Sequence, residues 1–425
     1  MAADDPQQDG KMFPIDEVRG QFPALAVTDN GRRRIYFDAP GGTQACAMAI
    51  ARMREHLEHG TANSGGAFRS STDTDRMSEA AHAAMADLLG GQPSEIAFGP
   101  NMTSLTFSVS RALAQGWEEG DELVVTRLDH DANVAPWLLV ARDRGMIIRW
   151  LDFDPATGML DLDTLPALLG PRTRVVAVGG ASNALGTLND LAEIVRIVRN
   201  RSDALIFVDA VQSVPHIVTD VQALGCDMLA CSPYQFFGPH QGVLWGREAL
   251  LDRIDAYKVR PSSIHPAAVR FETGTPSFEA QAGVLGTIEY LDWLGTRLGD
   301  NSVSRRDRLC SALRACEAYE QALGEQLLAG LARIDGLRLF GPQSMRGRVP
   351  TFSFTIDGHS PQQIAAFLGE RGIFAWSGSF YAVEVVARLG LAESGGLLRV
   401  GLCQYSTGAE VEELTAALEE LAGRR

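Results

Sequence analysis

The chain has 425 residues, 45% hydrophobic and 21% charged, enough for a large core and two domains. Its formal net charge of −15 argues against a protein that tracks a nucleic-acid backbone or an anionic lipid surface, and makes small-molecule chemistry the expectation. No apolar run approaches the ~20 residues that cross a bilayer, and Met1 to Pro14 lack the basic start and apolar stretch of a secretory leader, so no membrane partner and a cytoplasmic location are expected.

Cys46, Cys226, Cys231, Cys310, Cys316 and Cys403 are scattered without CxxC spacing, which leaves no disulfide framework or metal site to expect, only buried reduced thiols. The basic residues are almost all arginine, with Lys11 and Lys258 the only lysines.

Taken in chain order, short apolar runs alternate with amphipathic stretches from Ser94 to Trp245, the pattern of a sheet flanked by helices. Residues 95–98, 123–126, 147–150, 175–178, 205–208, 228–231 and 243–245 are the expected strands, and an α/β arrangement with a mostly parallel seven-stranded sheet accommodates them. The clearest crossover helix begins near Asn189 or Asp190, either of which can cap it, and carries Leu191, Ile194, Val195, Ile197 and Val198 on one face. After the turn at Gly274-Thr275-Pro276, a helical pattern runs through Ile288, Tyr290, Leu291 and Leu294, then through Leu309, Leu313 and Tyr319. The tail, with a strand at 351–355 and a final helix at 410–421, reads as a smaller α+β domain. The expected division is a large cofactor-binding domain at 30–285, with 1–29 and 286–425 forming the small one.

In open α/β sheets ligands gather beyond the carboxyl ends of the strands, so the residues there are the ones to read for chemistry. Asp209 follows the apolar run 205–208. Alone, such an Asp is an ordinary cap or turn former. Three more strand ends carry polar groups: Asp129-His130-Asp131-Ala132-Asn133, the segment 181–187 with Asn183, and the segment 231–239 with Ser232, Tyr234 and Gln235. Gly99-Pro100-Asn101-Met102-Thr103-Ser104 precedes an amphipathic helix, where backbone N–H groups and the Thr103 hydroxyl can cradle a phosphate. The plainer reading there is capping by Asn101 or Thr103.

Together, in this order, and with segments 36–42, 270–276 and 398–400, these motifs resemble the aminotransferase class V family, most closely cysteine desulfurases and their desulfurase-like relatives. The resemblance implies a fold-type-I transferase dependent on pyridoxal phosphate (PLP). It implies that Asp209 pairs with the pyridine nitrogen and that His130 stacks on the ring and moves protons. Asn183 and Gln212 would hold the phenolic oxygen, while Met102, Thr103, Ser232 and Tyr234 would lie at the phosphate, Tyr234 standing where the family has a histidine. Thr275 resembles a phosphate ligand lent by a neighbouring subunit, which implies a homodimer. Arg399 resembles the arginine that clamps a substrate carboxylate, a task suited to its planar fork.

Two positions break the pattern. The family's cofactor lysine aligns with Gln235, and an amide forms no Schiff base and removes no α-proton. Lys258 lies on another segment, Tyr257-Lys258-Val259-Arg260, where a surface cation is the ordinary expectation, and Lys11 is farther still from the motifs. The sulfur-accepting cysteine aligns with Tyr381, whose phenol cannot form a persulfide, so true desulfurase activity is disfavoured. The expected function is an enzyme acting on an amino acid or an amino-acid-derived substrate through PLP or pyridoxamine phosphate (PMP), without the usual internal aldimine. In that reading Gln235, Tyr234, His130 and Asp209 form the catalytic set, and Arg399 and Tyr381 meet the substrate. The alternatives are an inactivating change at Gln235 in an otherwise ordinary PLP enzyme, and a noncatalytic descendant serving as a ligand-binding or structural dimer.

Overall fold

The computed structural model of the protein describes residues 13–260 and 265–424. The expected strands form one seven-stranded sheet: β1 (Ile96–Gly99), β2 (Glu122–Thr126), β3 (Ile147–Leu151), β4 (Thr173–Gly179), β5 (Leu205–Asp209), β6 (Met228–Cys231) and β7 (Gly242–Gly246). Their spatial order is β1-β7-β6-β5-β4-β2-β3. Only β7 runs antiparallel to its neighbours; the remaining pairs are parallel.

Periodicity explains why the sheet is buried on both sides. Val124, Val176, Val178, Ile206, Val208, Leu229 and Val243 enter one core. Their chain neighbours Leu123, Val125, Val175, Ala177, Phe207, Met228 and Leu244 enter another. Both alternating sets are apolar, as a sheet covered by helices on its two faces requires. Five of the observed strands outrun their apolar runs by one or two residues at one or both ends because ladder pairing sets their ends, whereas β6 matches its run and β1 is shifted one residue later. Gly179, for instance, pairs with Asp209, which is therefore the last residue of β5 and not a residue beyond it.

Helices α1 (Ala47–Glu58), α2 (Arg69–Leu89), α3 (Met102–Leu113) and α4 (Leu191–Arg201) flank the sheet region, followed by α5 (Phe278–Arg297) and α6 (Arg305–Leu331). The cap of α4 is Asp190, whose carboxylate accepts from Glu193 N–H at 3.0 Å. Asn189 instead donates its amide to Gly179 O at 2.8 Å and so braces the end of β4. Helix α5 is buried on nearly every side, among α1, α2 and α6, and residue 285 lies in its interior.

The tail adds a four-stranded sheet of β8 (Leu337–Phe340), β9 (Thr351–Ile356), β10 (Trp376–Gly378) and β11 (Leu397–Gly401), ordered β8-β9-β11-β10, and the helix α7 (Gly408–Ala422). Its own core gathers Phe352, Phe354, Ile364, Leu398, Val400, Leu414 and Leu418. Helix α7 starts with a capping box between Thr407 and Glu410, which explains a start earlier than the expected 410. All six cysteines are buried and unpaired. Among the described residues, no helix is long and apolar enough to cross a membrane.

Candidate active site

The carboxyl ends of β2, β4, β5 and β6 open into a cavity of about 820 Å³, a size suited to a small-molecule ligand. Met102, Thr103, His130, Asn183, Asp209, Gln212, Ser232, Tyr234, Gln235, Tyr381 and Arg399 all line it. Thr275 does not; it sits exposed on the loop before α5. Among the described residues, no lysine lines the cavity. Lys258 borders a separate surface recess with Gln115, Tyr257 and Val259, and Lys11 lies outside the described residues.

At the floor, Asp209 is buried, and its Oδ1 accepts from Val211 N–H at 3.0 Å. Burial pushes this carboxyl up to about 7, and the nearby Asp129 charge adds to the rise. Such a group is poised to share a proton with a partner brought into the cavity. Asp129 itself is pushed up to about 6 by burial, although it accepts from Thr126 Oγ1 (2.8 Å), Gly179 N–H (3.0 Å) and Asn133 Nδ2 (2.8 Å). These bonds tie the His130 loop to the ends of β2 and β4.

His130 is held in one tautomer. Its Nδ1 accepts from Ala132 N–H at 3.0 Å, which places the ring proton on Nε2. Burial, then the Arg399 charge, pull the imidazole down to about 4. It is a neutral imidazole with Nε2 as its donor nitrogen.

Two amides converge on one carbonyl: Gln212 Nε2 donates to Pro40 O at 3.0 Å and Gln235 Nε2 donates to it at 3.1 Å. Gln235, where the resemblance expects a lysine, is thus a side chain anchored to the backbone. Asn183 donates Nδ2 to Phe380 O at 2.8 Å, and its buried Oδ1 has no partner among the described residues. The Tyr234 ring stacks on His240, 4.9 Å away and 10° from parallel.

Arg399 enters from β11. Its Nη1 donates to Asn183 O at 2.9 Å, its buried Nε has no partner among the described residues, and the Phe380 ring centroid lies 4.2 Å from its Cζ. Burial pulls the guanidinium down to about 9, a desolvation that an incoming carboxylate would offset. Asp38 faces the same charge; burial outweighs that attraction and pushes its carboxyl up to about 6. At the opposite wall Asn101 caps α3, accepting from Ser104 N–H at 2.8 Å. The plainer reading of Asn101 therefore holds, and the first-turn amides of Met102 and Thr103 form the positive end of a helix at the cavity.

Sequence reasoning missed Asp129, Trp376 and Phe380 as cavity residues. Asp129 lies in the turn that follows β2, three residues past the strand end, and its place just beyond an apolar run was a readable signal. Trp376 and Phe380 reach the cavity only because the tail folds back over the large sheet.

The fold and this site define a fold-type-I PLP-dependent transferase scaffold. The chain belongs to the aminotransferase class-V family, whose model matches residues 35–414. It is 31% identical to a cysteine desulfurase of Dickeya dadantii (strain 3937), over 96% of this chain and 97% of that relative. Among solved structures, the apo cysteine desulfurase of Thermococcus onnurineus NA1 superposes with a TM-score of 0.85 at 26% identity, covering 98% of this chain and 99% of the other. A cysteine desulfurase of Escherichia coli, solved in an S-sulfonic acid form, gives a TM-score of 0.82 at 25% identity, covering 97% and 100%.

The residues present fit the family's cofactor at three places. Asp209 offers a buried carboxylate for a ring nitrogen, α3 offers helix-terminal amides for a phosphate, and Asn183 Oδ1 is a buried acceptor awaiting a donor. They do not fit a covalent lysine linkage, because among the described residues no lysine lines the cavity.

Proposed function

We propose that this chain binds PLP or PMP noncovalently and acts through it on an amino acid or an amino-acid-derived substrate. The observation that carries this reading is the buried Asp209 carboxyl, raised to about 7 at the floor of a cavity that also holds the unpartnered Asn183 Oδ1. When bound, the cofactor supplies an electron sink for a carbanion.

The chain's own groups have separate tasks. Asp209 holds the ring-nitrogen proton. Met102 and Thr103, with Ser232 and Tyr234, receive the phosphate, and Asn183 and Gln212 take the phenolic oxygen. Thr275, exposed and off the cavity of its own chain, meets the phosphate of a second copy, which makes the working unit a homodimer. Arg399 Nε donates to the substrate carboxylate, and the anchored His130 donates from Nε2. Gln235 moves no proton, so the Tyr234 hydroxyl, within electrostatic reach of Arg399, carries it.

Persulfide chemistry is outside this reading. None of the cysteines lines the cavity, and Tyr381 lines it instead. The reaction is an aminotransferase-, dehydratase- or lyase-like step. A second reading, a cofactor-binding dimer without turnover, draws support from one observation: Gln235 and His130 Nδ1 are both committed to backbone partners.

Titration with PLP and with PMP, followed by visible absorption and repeated with a panel of amino acids, tests both. Saturable shifts that change again with one amino acid are expected. Binding that no amino acid perturbs would favour the second reading, and no shift with either cofactor would overturn both.

A further inference from the structure

The outer end of the cavity is built from aromatic faces. Trp376, Phe380 and Tyr381 line it, and Trp376 and Tyr381 are 53% and 72% exposed. Rings of this size normally bury most of their area. Arg399 organises two of them. Phe380 covers its guanidinium at 4.2 Å. The Trp376 indole closes on Gly41, where a Cβ would meet Trp376 Nε1 at 2.5 Å and Arg399 Nη2 at 3.3 Å. On the other side, the Tyr381 ring lies 5.5 Å from the His130 ring, tilted by 39°.

These rings are held in place by the backbone. Phe380 and Tyr381 both have φ of +57°, a left-handed conformation that bulky residues rarely adopt and that persists only where surroundings impose it. The surroundings here are specific. Asn183 Nδ2 donates to Phe380 O at 2.8 Å and Asp131 N–H donates to Tyr381 O at 2.8 Å. An ion pair between Arg127 and Glu384 fastens the turn that follows. Strain is thus sustained to hold aromatic faces at the mouth, beside the arginine available to a carboxylate.

We propose that the substrate of this site carries an aromatic or comparably flat apolar side chain, which packs against the Trp376 and Tyr381 rings while Arg399 holds its carboxylate. The inference rests on the reading of the cavity as a cofactor-dependent amino-acid site. Arg399 has Nη1 committed to Asn183 O and one face covered by Phe380, so a carboxylate meets its Nε edge. A ring carried beyond that carboxylate removes exposed aromatic surface from water and adds a stacking contact. A small polar side chain leaves both rings wet.

Calorimetry on PMP-loaded protein tests this with carboxylates that do not react, 3-phenylpropanoate and propanoate. The phenyl compound should bind at least tenfold more tightly. Trp376→Ala and Tyr381→Ala should each shrink that preference several-fold while leaving PMP affinity within about twofold, and Tyr381→Phe should keep it. Equal affinities in the wild type, or a preference that survives both alanine substitutions, would overturn the inference with the cofactor reading intact. Failure of PMP to bind the wild type would overturn both together.

Discussion

At the residue scale the proposed function turns on two side chains, Asp209 as the buried carboxyl offered to a ring nitrogen and Gln235 as an amide where the family resemblance expects a lysine. A carboxylate sealed at a strand end holds its proton more tightly than the same residue in an unfolded chain. Because the folded group sits at about 7 against an ordinary 3.8, its contribution to stability is fully present below about pH 4 and is lost as pH rises through about 7. Cofactor-free Asp209→Asn protein lacks this loss. Melting temperatures measured from pH 4 to 8 should therefore show the wild type falling relative to the variant, with Asp129 and Asp38 common to both. Parallel curves would contradict the assignment.

The identity of these residues was legible because strand-end position and residue type coincide in the sequence. Their committed atoms were not. That Gln212 and Gln235 share the Pro40 carbonyl, or that His130 spends Nδ1 on Ala132, depends on distances between segments brought together only by folding.

Among elements, the seven large-sheet strands were legible because each is an apolar run bounded by turn residues, and the final helix because of its period. The segment 376–388 was not legible in the same way. Nothing in Phe380-Tyr381 announces a left-handed backbone, which Gly or Asn would have signalled; tertiary hydrogen bonds impose it.

A comparable long-range device joins the two sheets. The buried Arg348 donates Nη1 to Leu185 O (3.0 Å) and Thr351 O (2.5 Å), and Nε to Pro342 O (3.0 Å). Arg348→Ala strands these carbonyls and opens a cavity, and should destabilise the protein by on the order of 3 kcal/mol, read as a lower urea midpoint. Arg348→Lys should recover little, since a point charge cannot reproduce the fork. An unchanged midpoint would show that water satisfies the carbonyls without cost.

For the whole molecule, the class-V family model matches residues 35–414, while among the described residues no lysine lines the cavity. Helix α5 runs unbroken through the division expected at 285/286 with its buried residues in the large core, and it is α6 that joins that core, through Leu309, Leu313 and Cys316, to the tail core, through Leu323, Leu327 and Leu331.

The most direct measurement is the intact mass of cofactor-saturated protein after borohydride reduction, compared with Gln235→Lys. The wild type should bind PLP saturably, release it on gel filtration and gain no mass, while the variant should fix one pyridoxyl group per chain. A wild-type protein that fixes the pyridoxyl mass would show that another lysine reaches the site, and would contradict noncovalent binding.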